Sequence, residues 1–585
     1  MWNLRLNLLT ALLAATTTTP LVAGTQYYVC FTSGTGGCTE LRSCAAVGAG
    51  NCSDACAGTL QIGTGGANGP WCRLPGTRNA GDTATIGPNV TINAGDVIDV
   101  KAGTSYTSTA GGRVLIDSSH YGNGTRASRI TIRKAPTWGT GSYFTVDGSG
   151  MAVPRYNAVV LVTGRQGITV DGIEVENTSG VSLFEFYNGS GSNLYETLTN
   201  SSLHDATSGG SSDWSEGYGT EPNQLTITNN TITNCDAGGI AVWAATGGYV
   251  LVRNNTISGA NGTGNSVDAI TIGGGSTGAY ARKVAVIGNA LSDGAGDAID
   301  AGGHNCHGPY LVEGNSISNF VGAFKVHGNS QWICGAKSDT YNIVRFNELT
   351  GVQYVTYSFP NDTVLYNNTF VGGPDMILVY DDCVNQGPGG TTCPRTGTNG
   401  VSLGTSRYGT GPGSGDRDFG RMTLKNNISW DTTDGTLLGG AGGVTNFCLD
   451  LSNSSIKLFN TLWKLAGGEW NWMNSPSCGT GASYTDNSDS PSGYASFQAA
   501  IPGSRQDPNG IRSTQTDAQM FVNIEAGDYH LVSGSNAVDA GTWLTRAVGA
   551  GSNSATSYPS RRRQAAANSV CSGGYGCILR VCLRS

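Results

Sequence analysis

The chain is poor in charged residues: only 13% of its 585 positions are Asp, Glu, Lys or Arg. Surface helices need many charges on one face and apolar residues at a spacing of 3.6, and neither pattern is present. A broad cluster of Lys and Arg is also lacking, and the net charge of −8 argues against a nucleic-acid-binding protein. No segment approaches about 20 uninterrupted apolar residues, so no membrane span is predicted.

The amino terminus has the pattern of an export signal. Arg5 precedes the apolar residues 8–15, and a Thr-rich stretch leads to a cleavage site near Gly24. Residues 1–24 are therefore predicted to be a signal peptide, and the mature protein is expected to be secreted and extracellular. Sixteen cysteines fit an oxidising compartment. Six of them crowd irregularly into residues 25–78, which favours local disulfides over zinc: Cys30, Cys38, Cys44, Cys52, Cys56 and Cys72.

One phrase returns through the middle of the chain: an apolar strand, an Asn, a short strand, a loop and a second apolar triplet. Its copies align on Asn230, Asn255, Asn289, Asn315, Asn347 and Asn368, which are 21 to 34 residues apart. Such a unit is too short to bury its own apolar face, so it must stack on its neighbours. An Asn at each corner tolerates a left-handed backbone, and its amide can bond to the Asn of the next coil.

These features predict an all-β fold, a right-handed parallel β-helix, with a disulfide-rich N-terminal segment. The segments YYVCFTSG and AGDVIDVKAGTSYTS resemble the opening coils of secreted β-helix polysaccharide lyases, and residues 517–541 resemble their closing coil. We expect a Cys-rich cap at 25–78, the β-helix at 79–440 and C-terminal coils with a cap at 441–547. Residues 548–585 continue no coil and are predicted to be a disordered tail.

Superposing the second triplets brings distant charges together. The outward column contains Ala241, Thr271, Asp300, Lys325 and Val355, so Asp300 and Lys325 should be neighbours about 5 Å apart. Asp268 and Asp297 precede the inward column in adjacent coils and should lie beside Asp300. Two interpretations remain open: a surface ion-pair ladder, or a functional site in a chain that has few charges.

At these residues the sequence resembles the family nine polysaccharide lyases, calcium-dependent pectate lyases with a lysine base. The match consists of Asp268, the Asp297-Ala-Ile-Asp300 spacing and Lys325, while Gly296 stands where that family has a further Asp. The resemblance implies Ca²⁺ held by the three aspartates and proton abstraction by Lys325. The resemblance implies that the substrate is pectate, an extended polysaccharide. The protein is expected to be a monomer.

Three further residues are candidates for binding sugar. His304 and His327 follow Asp300 and Lys325 and could line the groove and bind sugar hydroxyls. His304, Cys306 and His307 could in principle ligate a metal, although a loop His pair beside a disulfide cysteine is the simpler explanation. Trp214, in the predicted loop SDWSEGYGTEP, could wall the same groove. Two other functions stay open: a glycoside hydrolase that uses two of the aspartates as acid and base, and a non-catalytic carbohydrate-binding or adhesin solenoid.

Overall fold

The computed structural model describes a large part of the chain, with gaps between the described segments. The described residues are 24–31, 53–59, 61, 69–79, 82–107, 112–149, 151, 158–187, 195–207, 214–217, 224–236, 238–244, 248–260, 268–273, 281–301, 310–326, 342–352, 354–357, 363–372, 422–432, 456–459, 462–465, 469–474, 483–488, 491–499 and 509–538. The predicted signal peptide, apart from Gly24, and the predicted tail lie outside them.

The described residues form three parallel sheets, and from β2 to β28 successive turns of the chain visit them in the order A, B, C. Sheet A has 13 strands: β1 Gln26–Val29, β2 Val97–Ala102, β5 Ile130–Gly139, β8 Ile168–Asp171, β11 Glu196–Thr199, β14 Gln224–Thr228, β17 Gly248–Arg253, β20 Ala281–Ile287, β23 Tyr310–Glu313, β26 Asn342–Arg345, β29 Thr363–Tyr366, β31 Met422–Lys425 and β33 Ile456–Phe459.

Sheet B also has 13 strands: β3 Ser105–Thr107, β6 Phe144–Asp147, β9 Ile173–Ser179, β12 Ser202–Thr207, β15 Thr231–Cys235, β18 Thr256–Ser258, β21 Ala290–Ser292, β24 Ser316–Ser318, β27 Glu348–Thr350, β30 Thr369–Val371, β32 Ile428–Thr432, β34 Leu462–Leu465 and β37 Ile511–Arg512. Sheet C has nine: β4 Val114–Ile116, β7 Ala158–Thr163, β10 Ser182–Tyr187, β13 Trp214–Gly217, β16 Ile240–Ala244, β19 Ile270–Gly273, β22 Asp297–Ala301, β25 Gly322–Val326 and β28 Tyr354–Tyr357.

A few elements lie outside the three sheets. They are the antiparallel pairs β35 Glu469–Asn474 with β36 Ser483–Ser488 and β38 Phe521–Asn523 with β39 Asp528–Leu531, the helices α1 Pro491–Ala499 and α2 Asp517–Met520, and a 3₁₀ turn at Ile524–Ala526. The described residues include no helix long and apolar enough to cross a membrane.

The strand order of sheets A, B and C confirms the predicted right-handed parallel β-helix.

The core is a set of inward columns in which one apolar side chain stacks on the next. In sheet B, for example, Leu203, Ile232, Ile257, Leu291 and Ile317 follow one another in register, and each is at most 2% exposed. No single coil could bury these side chains, because each is covered by the coils before and after it. Stacking thus supplies the apolar burial that stabilises the solenoid.

The corner between sheets A and B carries the predicted asparagine ladder. Each Asn Nδ2 donates to Oδ1 of the Asn in the next coil over 2.9–3.1 Å, from Asn230 through Asn255, Asn289, Asn315, Asn347 and Asn368 to Asn427. These side chains are at most 1% exposed. The left-handed residue of the turn is the one before each of them, for example Asn229 at φ 58°. The ladder Asn thus forms the hydrogen bonds between coils, and the residue before it adopts the left-handed conformation of the turn.

Some cysteines of the N-terminal segment are described. Cys30, Cys56 and Cys72 are disulfide-bonded, and Trp71 packs fully buried against the first coil with its indole N–H donating to the Cys56 carbonyl oxygen at 2.7 Å. A disulfide-rich character for the whole of 25–78 remains a prediction. Farther along, Cys235 is buried, and its thiol donates to the Thr233 carbonyl oxygen at 3.6 Å.

Candidate functional site

The candidate site lies on sheet C, where three consecutive strands carry the predicted charged residues. Thr271 of β19 pairs in register with Asp300 of β22, and Asp300 pairs with Lys325 of β25. Neighbouring strands are about 4.8 Å apart, so the predicted adjacency of these backbone positions is confirmed. The side chain of Lys325 lies outside the described atoms.

Beyond Lys325 the register differs from the prediction. Lys325 pairs with Tyr357 rather than Val355, a shift of two residues. Residues two apart have the same side-chain parity in a strand, so the superposition placed the correct face but the wrong residue there. The two-residue shift could not be predicted from the repeat, because the segment between β25 and β28 is variable.

Two consecutive residues point into the core where the chain passes from sheet B to sheet C. Ala298 and Ile299 are both fully buried members of the core, as are Ala269 and Ile270 in the coil before. Alternation is therefore broken at this corner, so the residues on either side of each buried pair share the outer side. The Thr271 hydroxyl accordingly donates to Oδ2 of Asp268 at 3.2 Å. By the same spacing, Asp297 and Asp300 flank the second pair.

A direct hydrogen bond links the two coils at this corner. The backbone N–H of Asp297 donates to Oδ1 of Asp268 at 2.9 Å, and the Ala269 N–H donates to the Asp297 carbonyl oxygen at 3.1 Å. Asp268, Asp297 and Asp300 are 5%, 7% and 8% exposed. Asp268 of one coil and Asp297 and Asp300 of the next are therefore all shielded from water.

Trp214 lies in a strand, not in the predicted loop. It belongs to β13 and is aligned with Ala241, which is aligned with Thr271, so it occupies the same register column as Asp300, three strands away. Three strand spacings amount to about 14 Å along the helix axis. The loop prediction was wrong because Trp-Ser-Glu-Gly lacks the apolar triplet of the other coils. The other two predicted sugar-binding residues, His304 and His327, lie outside the described residues.

A second polar cluster, on sheet B, was not predicted. His204 Nε2 lies 3.4 Å from Glu174 Oε1 and 3.7 Å from Glu176 Oε2, and its Nδ1 lies 2.8 Å from Asp205 Oδ2. Glu174 and Glu176 are two residues apart on β9 and therefore share one face of the strand. His204 of β12 is paired in register with Glu176. The three could hold a metal ion by their spacing, but the imidazole already forms ion pairs with the carboxylates. The only sequence signal was the Glu-Val-Glu alternation.

The electrostatics of this cluster favour a charged imidazole. The hydrogen bond to Glu174, followed by the contacts with Asp205, raises the pKa of His204 to about 9 against partial burial. The pKa of Glu174 is lowered, chiefly by the same hydrogen bond, whereas burial and the charge of Glu174 raise the pKa of Glu176. The arrangement is that of an ion-pair cluster on the outer face of the solenoid.

Sheet topology and site together define a right-handed parallel β-helix protein with an acidic corner beside a lysine position. The sequence matches no protein-family model and no curated protein. Among solved structures, a mannuronic-acid-specific polysaccharide family 6 lyase from human gut microbiota is similar to this chain: 14% identity, 64% of this chain and 76% of that chain covered, TM-score 0.40.

Two other solved structures are similar at the same level. A GH136 lacto-N-biosidase from Eubacterium ramulus has 13% identity, with 59% of this chain and 64% of that chain covered and a TM-score of 0.35. Pectate lyase Pel9A has 13% identity, with 60% and 71% covered and a TM-score of 0.22. The fold is assigned from this chain's own three sheets, and these neighbours assign neither substrate nor site.

Proposed function

We propose that the protein is a secreted polysaccharide lyase that cleaves a uronate-containing polymer, with pectate as its substrate. Asp268, Asp297 and Asp300 hold Ca²⁺ in this proposal, and Lys325 is the general base. The observation that carries it is the register of sheet C, in which Asp300 stands between Thr271 and Lys325 while Asp297 binds Asp268. A long parallel sheet also suits an extended ligand that spans several coils.

The proposal draws on the kind of donor atom that these residues carry. Ca²⁺ prefers six to eight oxygen ligands, and carboxylates on adjacent coils supply oxygens of the required kind. Asp268 accepts hydrogen bonds on both of its carboxylate oxygens. Gly296 supplies no side chain at the position where the resembled family has a further Asp, so water or substrate must complete the shell.

The chemistry assigned to the chain is a β-elimination. Lys325 removes the proton from C5 of the uronate, the bond between C4 and the glycosidic oxygen breaks, and a C4–C5 double bond forms. The departing oxygen takes a proton from solvent, so the step needs neither an oxidant nor a second substrate. Calcium, when bound, supplies electron withdrawal through the uronate carboxylate. The carboxylates orient the sugar so that its C5 faces position 325.

The experiment compares wild type with Lys325→Ala and Lys325→Arg on polygalacturonate, following the ultraviolet absorbance of the unsaturated product. A general base contributes roughly 10²–10⁴-fold, so both variants should lose at least about two orders of magnitude. Lys134→Ala, on sheet A, is the matched control and should keep full activity. Full activity in Lys325→Ala would overturn the assignment of the base.

The remaining functions are separated by the same assay. Saturated products formed in the presence of a chelator would replace the lyase with a glycoside hydrolase using two of the aspartates. A non-catalytic binding solenoid would be indicated by two results together. The protein would bind polymer but form no product at any pH, and the double variant Asp297→Ala with Lys325→Ala would bind the polymer as wild type does. Each result contradicts the proposed lyase in a different way.

A further inference from the structure

One corner of the solenoid breaks the rule that the other coils follow. The residue before each ladder asparagine has a positive φ and is Asn or Gly in six coils: Asn229, Asn254, Gly288, Gly314, Asn367 and Asn426. In the seventh it is Phe346, at φ 56°. The left-handed region is unfavourable for an L-residue, because its Cβ crowds the backbone, and Asn or Gly relieves that cost. An aromatic residue there is an outlier, so the fold alone does not account for it.

The Phe346 ring is also exposed. At 37% exposure it is one of two exposed large hydrophobic residues in the described part of the chain, the other being Val522. Its ring packs edge-on against Tyr366, with centroids 6.0 Å apart and planes at 73°. The Arg345 guanidinium carbon lies 5.5 Å from the Phe346 ring and 5.7 Å from the Tyr366 ring. These contacts hold the exposed ring at a fixed angle.

Polar groups adjoin the ring in fixed positions. Glu313, Arg345 and Tyr366 are register partners on β23, β26 and β29. Arg345 donates through Nη2 and Nε to Glu313 Oε2 at 2.6 and 2.9 Å, and through Nη1 to the Tyr366 hydroxyl at 2.5 Å. The guanidinium is neutralised by Glu313, so the patch carries no excess positive charge that would select a phosphate or a polyanion.

We propose that Glu313, Arg345, Phe346 and Tyr366, here called the aromatic corner, form an accessory glycan-binding subsite. The apolar face of one pyranose ring stacks on Phe346, and the neighbouring carboxylate and guanidinium atoms bind its hydroxyls. A protein partner fits less well, because a stable interface buries at least about 1,000 Å² and needs more than one exposed apolar side chain. The single ring matches a single sugar.

The subsite is separate from the candidate active site. Phe346 lies at the corner between sheets A and B, whereas Asp268 and Asp297 lie where sheet B meets sheet C. It would therefore hold a polysaccharide to the solenoid without taking part in cleavage. Binding here goes beyond the proposed lyase activity and does not require it.

The test is Phe346→Asn, which gives this corner the residue that other coils use. Affinity electrophoresis in gels containing polygalacturonate or an uncharged β-glucan should show binding to at least one polymer weakened about tenfold, which corresponds to a loss of about 1.4 kcal/mol of stacking. The midpoint of thermal unfolding should be unchanged or higher, because the strain is removed. Phe346→Gly provides a second variant with the same expectation.

Two controls make the outcome decisive. Val522→Asn removes the other exposed apolar side chain and should bind as wild type does, and Lys325→Ala should keep its binding whether or not it is active. Unchanged affinity of Phe346→Asn for both polymers overturns the subsite. Equal losses in Phe346→Asn and Val522→Asn overturn it as well, and so does a loss of self-association in sedimentation with glycan affinity intact.

Discussion

The backbone N–H of Asp297 donates to Oδ1 of Asp268 at 2.9 Å, so a candidate ligand of one coil also fastens the next coil to it. The other oxygen of Asp268 accepts from Thr271 within its own coil. Asp268 is 5% exposed, and a buried donor that loses its acceptor is costly. Asp268 is therefore both a structural hydrogen-bond acceptor and a proposed calcium ligand, and substitutions can separate these two roles.

Asp268→Ala should destabilise the protein, whereas Asp268→Asn should do so much less. Alanine leaves the Asp297 N–H unsatisfied at a cost of about 1–3 kcal/mol, while the Asn side-chain oxygen can still accept. Thermal or denaturant unfolding of both variants measures the difference. Asp293→Asn, which changes an exposed carboxylate of the same region, serves as the charge control. Equal destabilisation by Ala and Asn would mean that the hydrogen bond is not the stabilising element.

Calcium should raise the unfolding temperature of wild type and should do so less in Asp300→Asn. A ligand that binds only the folded state stabilises it more the tighter it binds, by RT ln(1 + L/Kd) at free ligand concentration L, and loss of one carboxylate charge weakens the site. Titration of the metal-stripped protein with CaCl₂, followed by scanning calorimetry, gives the result without any substrate. Asp171→Asn, on sheet A, is the control and should respond as wild type does. An identical calcium response in Asp300→Asn would exclude that residue as a ligand.

Much of the fold was predictable because it rests on local repetition. The ladder asparagines recur in every copy of the phrase, and short strands leave little freedom in register between adjacent coils. That is why the pairing of Asp300 with Lys325 followed from sequence. It failed at Tyr357, because a variable segment lies between the two strands.

Other features depend on contacts between coils that the repeated phrase does not encode. His204 meets Glu174 and Glu176 because β12 stacks on β9, and nothing in either segment signals the other. Glu196 was overlooked for the opposite reason: it occupies an inward position where an apolar residue is expected. Its inward position follows from its register with Leu225 of the next coil, which the early coils do not reveal by pattern.

Glu196→Leu should stabilise the protein at neutral pH. Glu196 is 2% exposed, and among the described residues neither carboxylate oxygen has a hydrogen-bond partner of normal geometry. Burial raises its pKa well above the usual range, and the Ile168 N–H and Arg129 guanidinium only partly oppose this. Leucine matches its apolar neighbours, so a gain of about 1–3 kcal/mol is expected. Glu525→Leu, at an exposed position, is the control and should have little effect.

The pH dependence provides a second measurement on Glu196. The unfolded carboxyl ionises near its ordinary pKa, whereas the folded one keeps its proton to higher pH. Its contribution to stability is thus complete below the ordinary value and is lost as pH rises through the raised one. The unfolding temperature of wild type, compared with Glu196→Leu, should fall across that interval. Parallel profiles for the two proteins would contradict a buried neutral carboxyl.

His204 should make the stability of the solenoid fall between about pH 6.5 and pH 9. Its pKa is raised to about 9 in the folded protein and lies near 6.5 when unfolded. The charged imidazole therefore contributes fully below pH 6.5, and the contribution disappears as pH rises through 9. His204→Gln should flatten the profile of unfolding temperature in that interval. His530→Gln removes an exposed imidazole beside Asp528 and is the control, and a His204→Gln profile as steep as wild type would show that the sheet B cluster does not stabilise the fold.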